Sequence, residues 1–238
     1  MADTAAGRAT SKAGSEMSFF EDLTTYLPTL LSGLWVSLRL TAVILVVGLA
    51  GGLLLAIGSL ARNRILRMIV LIVVEIGRGT PALVVLQLIY FGLPTVGTAL
   101  DSFAASVIAL SLTTAAYTSE IMRGGLQAVP EAEVEAADAL GMSRLDALRF
   151  VVIPQGIRIA IPPLVGFSIM IFQATSLAYS IAVPELMSQA YSIGSNTFRY
   201  LSILSLAGLL YLMITIPASW MSARIERRLA RHQAPVTA

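Results

Sequence analysis

Four charged residues lie inside or beside long apolar stretches of this sequence, and they form two pairs with the same spacing. Glu75 and Arg78 are three positions apart, as are Glu120 and Arg123. Residues at this spacing share one face of a helix, so each pair can balance its own charges. A lone charge at the centre of a bilayer disfavours insertion by about 2.5–3.5 kcal/mol, so such residues usually face a cavity or a partner.

These charges have two interpretations. In the first, Glu75, Arg78 and Glu120 line a path for a small zwitterionic solute, whose ammonium and carboxylate groups need opposite charges or strong dipoles in place of water. Other polar side chains of the apolar stretches complete this predicted path: Gln87, Tyr117, Gln173, Thr175 and Ser176. In the second, both pairs are structural and lie near helix ends, where long arginine side chains reach the interface.

The composition places the chain in a membrane and excludes several kinds of site. Apolar residues make up 56% of the chain and charged residues only 13%, whereas a soluble domain carries about 25% charged residues. The mean hydropathy of +0.81 agrees with this assignment. There is no cysteine, and the single histidine, His232, lies in the C-terminal tail. We therefore expect no disulfide, no metal site and no catalytic residues within the membrane.

Five stretches are apolar and long enough to cross a bilayer, which needs about 20 residues per helix. They are residues 40–60, 65–93, 103–122, 157–177 and 201–221. The amphipathic residues 19–38 either lie in the interface or lengthen the first helix. Gly79, Thr80 and Pro81 interrupt the second stretch, and we expect them to break or kink its helix. The sequence thus predicts an all-α integral membrane protein with about five transmembrane helices.

The uneven distribution of arginine sets the predicted orientation. Basic residues cluster at residues 62–67, 123–158 and 224–231, whereas the loop between residues 93 and 103 has none. The connection between the fourth and fifth stretches carries only Arg199. Because basic residues are enriched on the cytoplasmic side of membrane proteins, we expect the N-terminus outside and the C-terminus in the cytosol.

The polar loop after the third stretch, which then faces the cytosol, has the pattern of two short helices separated by a glycine. Pro130 suits the first position of a helix, where its missing N–H is not needed. Gly141 lies where glycine commonly ends a helix, and Ser143 can cap the next helix with Asp146 three residues later. We expect Pro154 to help stop that second helix. Polar loops between spans are common, but this one is long and carries a flat alanine surface suited to a groove on a partner.

The spacing within this loop resembles the EAA loop of ABC-transporter permeases. Glu135, Ala136 and Ala137 are followed after three residues by Gly141, and after nine more by Val-Val-Ile-Pro ending at Pro154. The family pattern ends in Ile-x-Leu-Pro, so the valine and isoleucine are conservative departures. The resemblance implies that this segment, called here the coupling loop (residues 130–154), forms two coupling helices that seat in a cleft of a separate ATPase subunit.

Further motifs resemble the polar amino-acid permeases within that family. Residues 78–81, Arg-Gly-Thr-Pro, followed by Tyr-Phe-Gly-Leu-Pro at residues 90–94, look like the signature of their second span. Residues 175–177, Thr-Ser-Leu, look like their fourth-span region, although Gln173 and Ala174 stand where the family often has Lys-Asp. The resemblance covers nearly all of the chain except its tails.

The resemblance implies the membrane-spanning subunit of an ATP-driven importer for polar amino acids or related small zwitterionic solutes, working by alternating access. Its expected partners in the bacterial cytoplasmic (inner) membrane are a second permease subunit, identical or closely related, two ABC ATPase subunits and an extracytoplasmic solute-binding protein. The sequence has no G-x-x-x-x-G-K-[ST] phosphate loop, so ATP and Mg²⁺ are expected on the ATPase and no cofactor on this chain. No nucleic-acid partner is expected.

Two other classes of membrane protein fit the sequence less well. An intramembrane enzyme would need a catalytic set inside the bilayer, and the sequence has no cysteine, no histidine within the spans and no H-E-x-x-H motif. A secondary transporter or channel would work without an ATPase, but no internal inverted repeat is detectable. A stable complex with an ATPase would separate the permease hypothesis from both alternatives. The predicted domain organisation is a disordered tail over residues 1–17, a transmembrane permease domain over 18–230 and a C-terminal tail over 231–238.

Overall fold

Helices and short turns make up the described part of the chain, residues 2–61 and 63–230 of a computed structural model, and this part contains no strand. The α-helices in chain order are α1 (Ala2–Ser59), α2 (Arg64–Gly79), α3 (Ala82–Gln87), α4 (Ser102–Gln127), α5 (Glu131–Ala139), α6 (Arg144–Ala147), α7 (Ile153–Ala174), α8 (Leu186–Thr197) and α9 (Tyr200–Ala230). Short π-helical and 3₁₀ turns extend α3, join α6 to α7 and lengthen α7. The predicted all-α fold is confirmed.

Several of these helices are long and apolar enough to cross a bilayer. In the described residues three continuous helical segments qualify by length and composition: Glu21–Ser59, Arg144–Ile181 and Tyr200–Leu229. A fourth is the pair Arg64–Gly79 and Ala82–Val96, which is bent by 100° at its break. The chain is therefore a multi-pass membrane protein. The count of five spans and the orientation stay predictions.

The predicted third span is α4, which has 26 residues but is rich in serine and threonine, so its composition alone does not mark it as a span. Most of its buried hydroxyls donate to carbonyls one turn back, as Thr114 does to Leu110 at 2.7 Å and Thr118 to Thr114 at 2.8 Å, and Ser111 is the exception. A hydroxyl satisfied within its own helix can lie in apolar surroundings. α1 packs closely here, because a Cβ on Gly48 would lie 2.5 Å from Thr114 Cγ2.

Helix α1 is longer than the sequence predicts. Residues 19–38 lengthen the first helix rather than lying separately in the interface, and the backbone of residues 2–17, expected as a disordered tail, continues the same helix. These residues are alanine-rich, and extending an existing helix needs no new nucleation. The division of the chain into domains stays a prediction, and the C-terminal tail, 231–238, lies outside the described residues.

The second span is broken where the sequence predicts a break. α2 ends at Gly79, and the N–H and hydroxyl of Thr80 both donate to the carbonyl of Ile76, at 3.0 and 2.8 Å. Pro81 has no N–H to continue the helix, and α3 begins at Ala82 in a new direction. The break leaves the last carbonyls of α2 without partners in their own helix, and one of them belongs to Arg78.

Candidate functional site

The two predicted charge pairs form one cluster between α2 and α4. Glu120 accepts two hydrogen bonds from Arg123, Nε to Oε1 at 2.9 Å and Nη2 to Oε2 at 2.6 Å. Arg78 lies between two carboxylates, with its Nη1 3.6 Å from Oε2 of Glu120 and 3.9 Å from Oε2 of Glu75. Both distances exceed the N–O distance of a hydrogen bond, about 2.7–3.2 Å. The charge of Arg78 is therefore balanced while its N–H donors stay available.

Tyr117 fixes the end of α2 against α4 and α7. Its hydroxyl donates to the carbonyl of Arg78 at 3.1 Å, which supplies the partner that the helix break removed. The guanidinium of Arg78 lies 5.9 Å from the centroid of the same ring. On its other side the ring stacks on Phe167 of α7, with centroids 5.5 Å apart. One tyrosine thus connects the broken span to two neighbouring helices.

Two cavities of about 350 Å³ each meet at Arg78, which lines both of them. The charged cavity is also lined by Glu75, Glu120 and Arg123. The central cavity lies beyond it and combines the helix break with one face of α4 and one of α7. Its other lining residues are Gly79, Thr80, Pro81, Ala82, Leu110, Thr113, Tyr117, Phe167, Met170, Ile171 and Ala174. Each volume is within the range of small-ligand sites, about 300–1,000 Å³.

The structure brings together only part of the path that the sequence predicts. Glu75, Arg78, Tyr117, Glu120 and the break at residues 79–81 meet at these cavities. Among the described lining residues of either cavity, four predicted path residues do not occur: Gln87, Gln173, Thr175 and Ser176. The buried hydroxyl of Thr175 donates to the carbonyl of Phe172 at 2.7 Å, one turn back in its own helix.

Apolar residues of α7 line the central cavity, and the sequence reasoning missed them. Phe167, Met170, Ile171 and Ala174 share one face of α7 and line the cavity together with Arg78. Their spacing of three and four residues is visible in the sequence. It is also the spacing of a lipid-facing or core stripe, so no chemical signal separates the two uses.

A buried carboxylate, Glu185, joins three helices and was also missed as a key residue. It caps α8 by accepting from the N–H groups of Met187 at 2.9 Å and Ser188 at 2.7 Å. It also accepts from the hydroxyls of Ser37 in α1 at 3.3 Å and Tyr211 in α9 at 3.2 Å. Four donors compensate the burial of this group.

The first half of the coupling loop has the geometry that its sequence predicts. Helix α5 ends at Ala139, and Gly141 adopts a φ of +76°, a left-handed conformation that favours glycine. The N–H of Met142 donates to the carbonyl of Ala137 at 3.1 Å, and that of Gly141 to Asp138 at 3.0 Å. This pair of bonds closes a helix C-terminus in the Schellman pattern.

The second half departs from prediction at its end. Ser143 caps α6, because its Oγ accepts from the N–H of Asp146 at 3.2 Å. Pro154 was expected to stop this helix, and that expectation is wrong: α6 continues through a π-helical turn at Leu148–Val152 into α7. Pro154 lies in the first turn of α7, where a proline is tolerated, and the wide turn before it absorbs the missing N–H.

The tip of the coupling loop is exposed and partly apolar. Leu140 is 82% exposed and Leu145 is 73% exposed, one on each side of the glycine turn. Glu135 and Ala136 are exposed as well, whereas Ala137 is buried against the rest of the chain. These two leucines leave large apolar side chains on an otherwise polar segment uncovered by the rest of the described chain. The three residues of the E-A-A motif thus do not share one environment.

Comparisons with known proteins agree with these features. Residues 48–231 match the family described as binding-protein-dependent transport system inner membrane component. The chain is 33% identical over 205 residues to the probable amino-acid ABC transporter permease protein YckA of Bacillus subtilis (strain 168), covering 86% of this chain and 91% of that protein. It is 36% identical over 209 residues to the glutamine transport system permease protein GlnP of Escherichia coli (strain K12), covering 85% and 94%.

A solved structure described as an amino acid ABC transporter with histidines has the same fold. It matches with a TM-score of 0.85 and 34% identity, and the match covers 88% of this chain and 98% of that chain. These relatives do not favour a secondary transporter or channel. By the family match over residues 48–231 and by these identities, the protein belongs to the inner membrane components of binding-protein-dependent transport systems and is an ABC-transporter permease subunit.

Proposed function

We propose that this permease subunit imports a polar amino acid or a related small zwitterion across the bacterial cytoplasmic membrane by alternating access. The relatives named above are described as amino-acid and glutamine permeases, which supports this substrate class. The chain transports and does not hydrolyse ATP, because its sequence has no phosphate-binding loop. ATP and Mg²⁺ bind to the separate ATPase subunits, and no cofactor binds to this chain.

The position of Arg78 is the main observation that supports the proposed substrate site. Its guanidinium borders both cavities, and neither neighbouring carboxylate is close enough to use its donors. A guanidinium binds a carboxylate through two parallel hydrogen bonds, which suits the α-carboxylate of an amino acid. Glu75 and Glu120 then offer negative charge to the α-ammonium group. These ionic partners offset the free energy that the charged groups of the substrate lose when they leave water.

The coupling loop is the proposed contact with the ATPase. Its exposed Leu140 and Leu145 enter a cleft of that subunit, and the turn at Gly141 sets the angle between the two short helices. ATP binding closes the ATPase dimer, moves the loop and opens the permease outward to receive solute. A second permease subunit, identical or closely related, completes the path, and an extracytoplasmic solute-binding protein delivers the substrate.

Uptake by Arg78→Gln in proteoliposomes that contain the complete transporter tests the substrate site. Arg67→Gln is the matched control, since Arg67 is exposed on the same helix and borders neither cavity. We expect Arg78→Gln to lower uptake by about tenfold to a hundredfold, because hydrogen bonds to charged groups contribute about 1.5–3 kcal/mol. Co-purification of the ATPase should not change. Equal uptake by both variants would remove Arg78 from the substrate site.

A further inference from the structure

The backbones of α4 and α7 touch at a pair of glycines next to the coupling loop. A Cβ on Gly125 would lie 2.5 Å from the carbonyl oxygen of Gly156 and 2.8 Å from Cβ of Ala160. A Cβ on Gly156 would lie 2.8 Å from the Cα of Leu126. Real Cβ atoms essentially never approach other atoms within 3.0 Å. Both glycines are buried, so neither position can carry a side chain unless the helices separate.

The neighbouring glycine shows that this requirement is confined to one position. Gly124 is exposed, and a Cβ added there would meet nothing within 4 Å. Gly124 and Gly125 are adjacent on the same helix, so backbone flexibility alone would make them equivalent. The close contact distinguishes them, because a Cβ on Gly125 would meet the backbone of α7.

The crossing lies where the coupling loop joins the membrane helices. Gly125 is two residues before the end of α4, and Gly156 is three residues after the start of α7. Farther along the same two helices, Tyr117 stacks on Phe167 at the central cavity. At 1.5 Å per residue the crossing is about 12 Å along α4 from Tyr117 and about 16 Å along α7 from Phe167. The two helices are thus joined both at the loop and at the cavity.

We infer that Gly125 and Gly156 are positioning residues that lock α4 and α7 into one rigid arm, which transmits displacement of the coupling loop to the candidate substrate cavity. The inference rests on the proposed function and names how its two sites are connected. Neither glycine lines the charged or the central cavity among the residues described, so their effect is on coupling rather than on substrate contact. A flexible hinge at this point would instead let the loop move without the cavity.

The test measures ATP hydrolysis and substrate uptake separately in proteoliposomes that contain the complete transporter. It compares the arm variants Gly125→Ala and Gly156→Ala with the control Gly124→Ala. Coupling free energies between sites typically correspond to about 5- to 150-fold effects. We expect the two arm variants to keep ATP hydrolysis within about twofold while uptake per ATP falls by a factor in that range. Gly124→Ala should match the native protein. Native uptake per ATP in Gly125→Ala and Gly156→Ala would overturn the inference.

A second measurement on the otherwise native sequence does not depend on those variants folding. The chain has no cysteine, so two introduced cysteines carry its only spin labels. Leu112→Cys in α4 and Ile157→Cys in α7 are both exposed positions, and the distance between their labels reports the separation of the two helices. Complexes that carry one labelled copy are compared without nucleotide and with ATP. A rigid arm keeps this distance constant while the coupling loop moves, and a changed distance would show a hinge. If the native complex shows no ATP-driven uptake, the proposed function fails, whatever the arm does.

Discussion

The coupling loop and the charge cluster are built in opposite ways. In the loop the defining bonds are local: Gly141 closes α5 and Ser143 caps α6 through partners within five residues. In the cluster, two local pairs are brought together by contacts between distant parts of the chain: Arg78 lies 3.6 Å from Glu120, and the hydroxyl of Tyr117 donates to the carbonyl of Arg78, 39 residues away. A local structure forms from its own sequence, whereas a convergent site needs the whole fold. The loop should therefore be sensitive to backbone changes and the cluster to side-chain chemistry.

Gly141→Pro should break the loop with the largest effect and leave the cluster intact. Proline is held at a φ of about −65°, whereas Gly141 has a φ of +76°, so the turn between α5 and α6 cannot form. We expect loss of ATPase co-purification and of uptake, with membrane insertion unchanged. Asparagine tolerates the left-handed conformation, so Gly141→Asn is the control that should retain most activity. Full uptake by the proline variant would refute the coupling role of this turn.

The structure of the coupling loop could be predicted from the sequence because its capping residues are close together in the chain. The lining of the central cavity could be predicted only in part. Glycine and serine capping patterns fixed both ends of the turn, and the interruption at residues 79–81 marked the bend in the second span. The sequence could not predict that Phe167 and Met170 line the central cavity, because an apolar helix face has the same residue pattern whether it contacts lipid, protein or a cavity. The prediction that Pro154 stops a helix was wrong for a related reason, because a proline is compatible both with the end of a helix and with its first turn.

Arg78→Lys sharpens the comparison because it keeps the positive charge at this position and removes only the planar guanidinium group. Lysine lacks the planar fork that pairs with a carboxylate through two bonds. We expect uptake to fall by about tenfold, equivalent to about 1.4 kcal/mol, through a higher KM, while ATPase co-purification stays native. Kinetics of uptake over a range of substrate concentrations separate KM from the maximal rate. An unchanged KM would mean that charge alone is required at this position.

The two acidic neighbours of Arg78 should differ in importance although both are carboxylates. Glu120 is held by two bonds from Arg123 and is only 22% exposed, whereas the side chain of Glu75 is 82% exposed and lies 3.9 Å from Arg78. Exposed ion pairs contribute only about 0.2–1 kcal/mol. Glu120→Gln should therefore raise the KM for uptake more than Glu75→Gln does, with ATPase binding unaffected in both. The reverse order would indicate that Glu75 is the main partner of the substrate ammonium.

Ser143→Ala tests whether the loop tolerates the loss of one side-chain cap, whose hydroxyl makes two bonds to Asp146, and its effect should be the smallest. Removing a serine N-cap costs about 0.5–2 kcal/mol of local helix stability. The backbone turn at Gly141 and the continuous helix from Arg144 into α7 remain in place. Hydrogen exchange should therefore quicken at the start of α6 while uptake falls by less than about fivefold, the equivalent of about 1 kcal/mol. A loss of uptake as complete as that of Gly141→Pro would show that the hydroxyl contacts the ATPase directly, and that side-chain chemistry governs this half of the loop as it governs the cluster.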